Sequence, residues 1–243
     1  MKADPAAQRR LLDLAGVDAE LTRLAHRRRT LPEHGALTEA EAAVRAAKDA
    51  LVRSETAASD LDRDIRRLER DVDAVRARTQ RDRGLLASAG ARQATDLQHE
   101  LDTLARRQAV LEDEQLEIME RREALDADLE HARGELSAAE QQLTDVGARR
   151  DAELADIDAA EAGRTRDRST VAGEVPADLL AAYERRRAQQ GVGAALLRER
   201  RCGACRLELD RTALSALRNA PADEVVHCEE CGVILVRTPE SGL

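Results

Sequence analysis

The 243-residue chain has no Trp and no Phe, and Tyr183 is its single aromatic residue. A compact domain of this length normally buries many large side chains, so their absence disfavours an ordinary globular core. A two-helix coiled coil needs only a narrow apolar seam. An apolar fraction rich in Ala, with 36% charged residues, suits one. Lysine is scarce as well: only Lys2 and Lys48 are Lys, the other basic residues being Arg, a bias that a GC-rich genome accounts for. No apolar run approaches the roughly 20 residues of a membrane span. The opening stretch MKADPAAQRRLL lacks the apolar core of a signal peptide. A cytoplasmic protein without membrane contact is therefore expected. The net charge of −9 opposes non-specific attraction to nucleic acid over the whole surface but leaves room for a local basic patch.

Catalytic signatures are missing too. There is no Gly-rich phosphate loop and no nucleophile elbow. His99-Glu100 lacks the second His of a metalloprotease helix, because Thr103 stands in that place. His26, His34 and His131 lie isolated on polar stretches and read as solvated, and the many Asp/Glu pairs read as charged helix faces. The chain is expected not to be an enzyme.

What is present is a long heptad pattern. Residues 6–31 carry Leu14, Val17, Leu21, Leu24, Arg28 and Leu31 at alternating steps of three and four, and Pro32 and Gly35 predict a break near 32–36. The pattern resumes from Leu37 to Leu86, is interrupted at LLASAGARQATD with a turn expected near 87–95, and returns from Leu97 to Val146 with its steps mirrored. Folding the chain between Leu86 and Leu97 pairs Ile65 with Ile118 and Leu37 with Val146. Small residues then oppose large ones: Ala40 and Leu143, Ala47 and Leu136, Leu51 and Ala132, Ser54 and Leu129, Ala58 and Leu125. At a rise of ~1.5 Å per residue the paired arm is roughly 70–75 Å long. Asp82, Gln108, Gln115 and Arg122 interrupt the seam towards its tip, either to fix register or to mark a frayed end. After Val146 the spacing to Arg150, Leu154 and Ile157 is a stutter, residues 169–175 read as a linker, and PADLLAAYERRRAQQ reads as a short helix ended by Gly191 and Gly193, with Tyr183 packing it onto its neighbours. These observations predict a mostly α fold: residues 1–175 form a long antiparallel helical hairpin, and residues 176–243 form a short helix plus a small C-terminal β zinc ribbon.

The ribbon is inferred from four cysteines. Cys202 and Cys205 form one Cys-x-x-Cys pair, and Cys228 and Cys231 form another, 22 residues on. Two such pairs at this distance supply the tetrahedral thiolate set of one structural Zn²⁺. Short strands are expected at 195–201, 224–227 and 233–237, and a helical turn is expected after Asp210. Gly203 and Gly232 are expected to allow the knuckle backbone. Four sulfurs leave no open position for a catalytic water; a rubredoxin-like iron and a redox-responsive zinc would use the same ligands. His227 would make a fifth ligand and reads as a strand residue.

Two basic patches complete the candidate sites. Arg27, Arg28 and Arg29 end the first helix. Arg185, Arg186 and Arg187, with Arg198, Arg200, Arg201 and Arg206, flank the ribbon. They read either as a composite phosphate- or partner-binding surface or as cations paired with the abundant Asp and Glu. The lack of stacking aromatics argues against an open-strand RNA platform.

The segments LAHRRRTLPE, LEDEQLEIMERRE, PADLLAAYERRR, GVGAALLRERRCGACRLEL and VVHCEECGVILVR resemble a family of bacterial proteins with an N-terminal coiled-coil hairpin and a C-terminal four-cysteine zinc ribbon. The resemblance implies zinc at Cys202, Cys205, Cys228 and Cys231, and a role as a protein- or nucleic-acid-binding adaptor; some members are implicated in flagellar or secretion-system regulation. Val233 departs from the Arg that many relatives carry there, which removes one contribution to a phosphate surface. The expected partner is a protein, with nucleic acid second, bound by a monomer or weak homodimer. An RNA- or DNA-binding regulator and a zinc-linked thiol redox sensor are the rival readings.

Overall fold

The computed structural model describes every residue from Met1 to Leu243. Helix α1 spans Pro5–Arg29, α2 Pro32–Leu86, α3 Ala91–Gly173 and α4 Ala177–Gln190. The ribbon follows with β1 Ala194–Arg198, β2 Arg201–Cys202, α5 Arg211–Asn219, β3 Val226–His227 and β4 Ile234–Val236, and a 3-10 turn closes the chain at Pro239–Ser241. The chain divides into two compact units, residues 33–148 and residues 1–32 with 149–243.

The first of these units is the helical hairpin. Leu68, Val72 and Leu111 form one buried cluster edged by Val75 and Ile118, and Ala40, Val44, Ala58, Leu101, Leu104, Leu129 and Val146 are buried along the same seam. Every one of these is an a/d position of the mirrored heptads. Ion pairs flank the seam from opposite helices: Lys48 with Glu140, Asp62 with Arg122, Arg76 with Glu112 and Arg78 with Glu100. Of the polar seam residues, Arg122 crosses the hairpin to Asp62 at 2.8 Å, which ties it to register. Gln108 bonds Glu112 on its own helix at 2.9 Å. Thr79 is buried with no partner for its hydroxyl, and Asp82 reaches only Arg78, at 3.7 Å.

The second unit packs α1, residues 149–173 of α3, α4 and the ribbon together. The sheet has strand order β2-β1-β4-β3, with β1 parallel to β4 and the other pairs antiparallel. Strand β4 is buried on both faces, as its continuous apolar run requires. Its alternation sends Ile234 and Val236 to one core with Leu11, Leu14, Leu179, Tyr183 and Val225, and Val233 and Leu235 to a second with Leu197, Leu209, Ala213, Leu217, Cys202 and Cys228. Residues Met1–Ala3 add to the sheet edge: Ala3 N–H donates to the Asp223 carbonyl at 2.7 Å and Val225 N–H to that of Met1 at 3.0 Å.

Several sequence expectations shift. The break lies at Thr30–Leu31, and Gly35 is inside α2. The turn shrinks to residues 87–90. The stretch read as a linker is the last turn of α3, which runs to Gly173 because Val171 and Ala172 pack against the core of the second unit. A boundary at 175 does not separate the compact units, since α1 and the end of α3 belong with the ribbon. The ribbon therefore has an oily partner surface in α1 and α4 besides its metal.

Candidate metal centre

Each Cys pair sits on a hydrogen-bonded knuckle, and the two knuckles repeat one geometry. Cys202 N–H donates to the Leu207 carbonyl at 3.0 Å and Arg206 N–H to that of Cys202 at 2.8 Å. In the second knuckle Cys228 N–H donates to Val233 at 2.9 Å and Gly232 N–H to Cys228 at 2.8 Å. The residue after each pair is left-handed: Gly232 at φ 70° and Arg206 at φ 62°. Glycine takes that angle freely, whereas a side-chain-bearing residue is strained there by about 1 kcal/mol or more. Gly203 is needed for another reason than the one expected: a Cβ there would stand 2.7 Å from the Leu196 carbonyl oxygen, to which its N–H donates.

The knuckles bring four Sγ atoms within 4.8 Å of one another. Cys202 and Cys231 are 3.8 Å apart and Cys205 and Cys228 3.9 Å. A tetrahedron with Zn–S bonds of about 2.3 Å has edges of about 3.8 Å, so the thiol set fits zinc. Burial pushes the Cys202 thiol up to about 12 and raises Cys231, while the Leu207 N–H leads the lowering at Cys205. Zinc binds thiolates, so its binding releases thiol protons. His227 is lowered first by burial, then by the Arg186 guanidinium and the N-terminal ammonium.

A profile for the CT398-like coiled coil hairpin domain matches residues 14–191, and one for the C4-type zinc ribbon domain matches residues 201–235. The chain belongs to the CT398-like coiled-coil hairpin family. It is 46% identical to the Mycobacterium tuberculosis protein Rv2229c over 246 residues, covering 98% of each. It is 39% identical to the Mycobacterium leprae protein ML1638 over 226 residues, covering 91% of this chain and 96% of that one. A solved Mycobacterium smegmatis structure superposes with a TM-score of 0.88 at 42% identity, over 98% of this chain and all (100%) of the other. CT398 from Chlamydia trachomatis shares the fold at a TM-score of 0.68 and 17% identity, over 95% and 97% of the two chains. The C4 ribbon holds a structural zinc ion. Neither matching domain type is an enzyme family, and no helix is long and apolar enough to cross a membrane.

The basic residues of this family member differ in their partners and in the concavities they line. Arg27 pairs with Glu153 at 2.5 Å, Arg28 pairs with Asp158 and, at 2.7 Å, with Glu161, and Arg29 is exposed. Arg187 is drawn to Asp18 at 3.0 Å. Arg198, Arg201 and Arg206 share a groove of about 430 Å³ beside the first knuckle, where Arg201 meets Glu208 at 3.2 Å and Arg198 lies 3.9 Å from Glu240. Arg200 lies in the two-residue turn between β1 and β2 and donates to the Gly242 carbonyl at 3.3 Å. Arg185 and Arg186 line a separate cavity.

Sequence reasoning missed the buried polar node that holds the second unit together. Asp18 is 4% exposed; it accepts from Tyr183 Oη at 2.6 Å and Arg168 Nε at 2.7 Å, beside Arg187. Arg168 also bonds Glu184. These contacts join α1, α3 and α4. Arg237 was missed too: its guanidinium donates to the carbonyls of Leu217, Ala220, Pro221 and Glu224, supplying acceptor partners at the end of α5.

Proposed function

We propose that the protein is a non-enzymatic adaptor whose hairpin arm binds a protein partner while the zinc ribbon serves as a folded end-piece. The observation that carries this reading is on α3. Leu116 and Met119, one helical turn apart on the same side, are 58% and 47% exposed, outside the seam that buries Leu111. Val110 on the same helix and Leu85 at the end of α2 are also exposed. In a chain with so few large apolar residues, an adjacent Leu and Met left in water suit an adaptable contact with a partner's apolar surface. The closed four-thiol site has no free coordination position to do chemistry.

A photo-crosslinking residue placed at 116, compared with one at the solvated position 133, tests it in cells. A discrete adduct specific to 116 that disappears with Met119→Asp supports the reading. Identical labelling at both positions removes it.

A nucleic-acid contact through the groove of Arg198, Arg201 and Arg206 is the second reading, favoured by three guanidiniums lining one concavity with a single carboxylate, Glu199. It requires a salt-sensitive mobility shift that Arg206→Ala weakens. No shift at low salt excludes it.

A further inference from the structure

Beside α4, on the side away from Asp18, a cavity of about 330 Å³ is lined by Met1, Ala182, Arg185, Arg186, Gln189 and His227. No carboxylate is among these residues. That is unexpected in a chain with 48 Asp and Glu against 39 Lys and Arg, where the adjoining Arg187 reaches both Asp18 and Glu184. Arg185 uses Nε on the Ala181 carbonyl of its own helix at 3.3 Å, and Arg186 uses Nη1 on Gln189 Oε1 at 3.4 Å. Both acceptors are neutral and distant, and neither guanidinium forms an ion pair. Two forks of parallel N–H donors thus border one concavity with no carboxylate partner for either.

We propose that this cavity binds a small phosphomonoester, with the phosphate held by Arg185 and Arg186. A guanidinium fork matches two phosphate oxygens at once, and a dianion with three terminal oxygens engages two forks where a carboxylate engages one. The Gln189 amide and the His227 ring nitrogen are additional donors at the same wall. The volume lies at the lower end of small-ligand pockets and exceeds what a bare phosphate fills, so the ester's organic part lies against Ala182 and Met1. The competing role for Arg186 is electrostatic. A Cβ on Gly232 would stand 3.2 Å from its Nη1, so the cation overlies the second knuckle and offsets the negative charge of a zinc tetrathiolate. A guanidinium with only that role would not bind a second anion once zinc is present.

The site is independent of the adaptor reading, and its test uses no protein partner. The zinc-loaded full chain is titrated calorimetrically in chloride buffer with inorganic phosphate, with a nucleoside 5′-monophosphate and with the corresponding nucleoside. Saturable one-site binding of the first two and none of the third is expected. Arg185→Ala and Arg186→Ala each weaken it roughly tenfold or more, as loss of a charged hydrogen-bond donor pair does. Arg133→Ala, at a solvated arginine paired only with Glu130, leaves it unchanged. Arg185 is exposed, so its variant keeps the fold, checked by unchanged zinc content and an unchanged tyrosine signal. Three results overturn the proposal: no saturable phosphate binding to the zinc-loaded chain, equal binding by the nucleoside, or full binding by Arg185→Ala and Arg186→Ala. Retention of single-stranded RNA without any small-phosphate binding also overturns it and assigns the charge to a polyanion.

Discussion

Replacing Asp18 with Asn is the sharpest probe of the second unit. The change is nearly isosteric, so packing around Leu14 and Tyr183 is preserved and only charge and acceptor capacity change. The side chain of Asp18 is 5% exposed and faces two guanidiniums, Arg168 at 2.7 Å and Arg187 at 3.0 Å, plus the Tyr183 hydroxyl at 2.6 Å. Removing one partner of a buried ion pair costs ~3–5 kcal/mol when the other charge is stranded. Here Arg168 and Arg187 keep Glu184 and are 23% and 34% exposed, which places the loss at the lower end. A destabilisation of about 3 kcal/mol follows, a fall in melting midpoint of roughly 6–12 °C. The assay is built into the chain: Tyr183 is its only aromatic, so near-ultraviolet circular dichroism reports this unit alone, while the far-ultraviolet signal reports all helices. The near-ultraviolet midpoint should drop. An Asp18→Asn chain whose tyrosine signal melts with the wild type would refute the claim that this node holds α1, α3 and α4 together.

Four further outcomes are expected. Stripping zinc removes a contribution on the order of 10 kcal/mol, so amides of α5 and both knuckles lose hydrogen-exchange protection while far-ultraviolet helicity changes little; continued protection in the metal-free chain contradicts the role of the thiols. Gly193→Ala puts a Cβ 2.5 Å from the Tyr183 ring and 2.7 Å from its carbonyl, and is expected to destabilise by about 3 kcal/mol, read by denaturant titration. Arg206→Gly relieves a left-handed angle and should stabilise the zinc-loaded ribbon by about 1 kcal/mol in the same titration. Burial and the bond to Asp18 raise the Tyr183 phenol above its ordinary value. The stability tied to its protonated form is complete below about pH 10 and is lost as pH rises towards the raised value, so tyrosinate absorbance should appear together with unfolding rather than before it.

The hairpin was readable from the sequence because a seam is a local, repeating signal. The buried residues from Ala40 to Val146 fall on the mirrored steps of three and four, and the flanking ion pairs obey the same register. The thiol cluster was readable because Cys-x-x-Cys spacing encodes its own turn. Asp18 was not, since one more acid on a helix rich in acids has no distinguishing neighbours; its partners lie more than a hundred residues away at Arg168 and Tyr183. Residues 169–173 misled for the opposite reason. Ser, Thr and Gly argue locally for a loop, and the packing of Val171 and Ala172 overrides them. The Met1–Ala3 contact is a single bridge, Lys2 opposite Glu224, and carries no periodicity.

That N-terminal bridge bears on how the molecule should be handled. Met1 lies at once beside the sheet margin and on the wall of the Arg185–Arg186 cavity, so a purification handle or fluorophore fused ahead of it would crowd that cavity. The turn at residues 87–90, largely exposed, is the better attachment point.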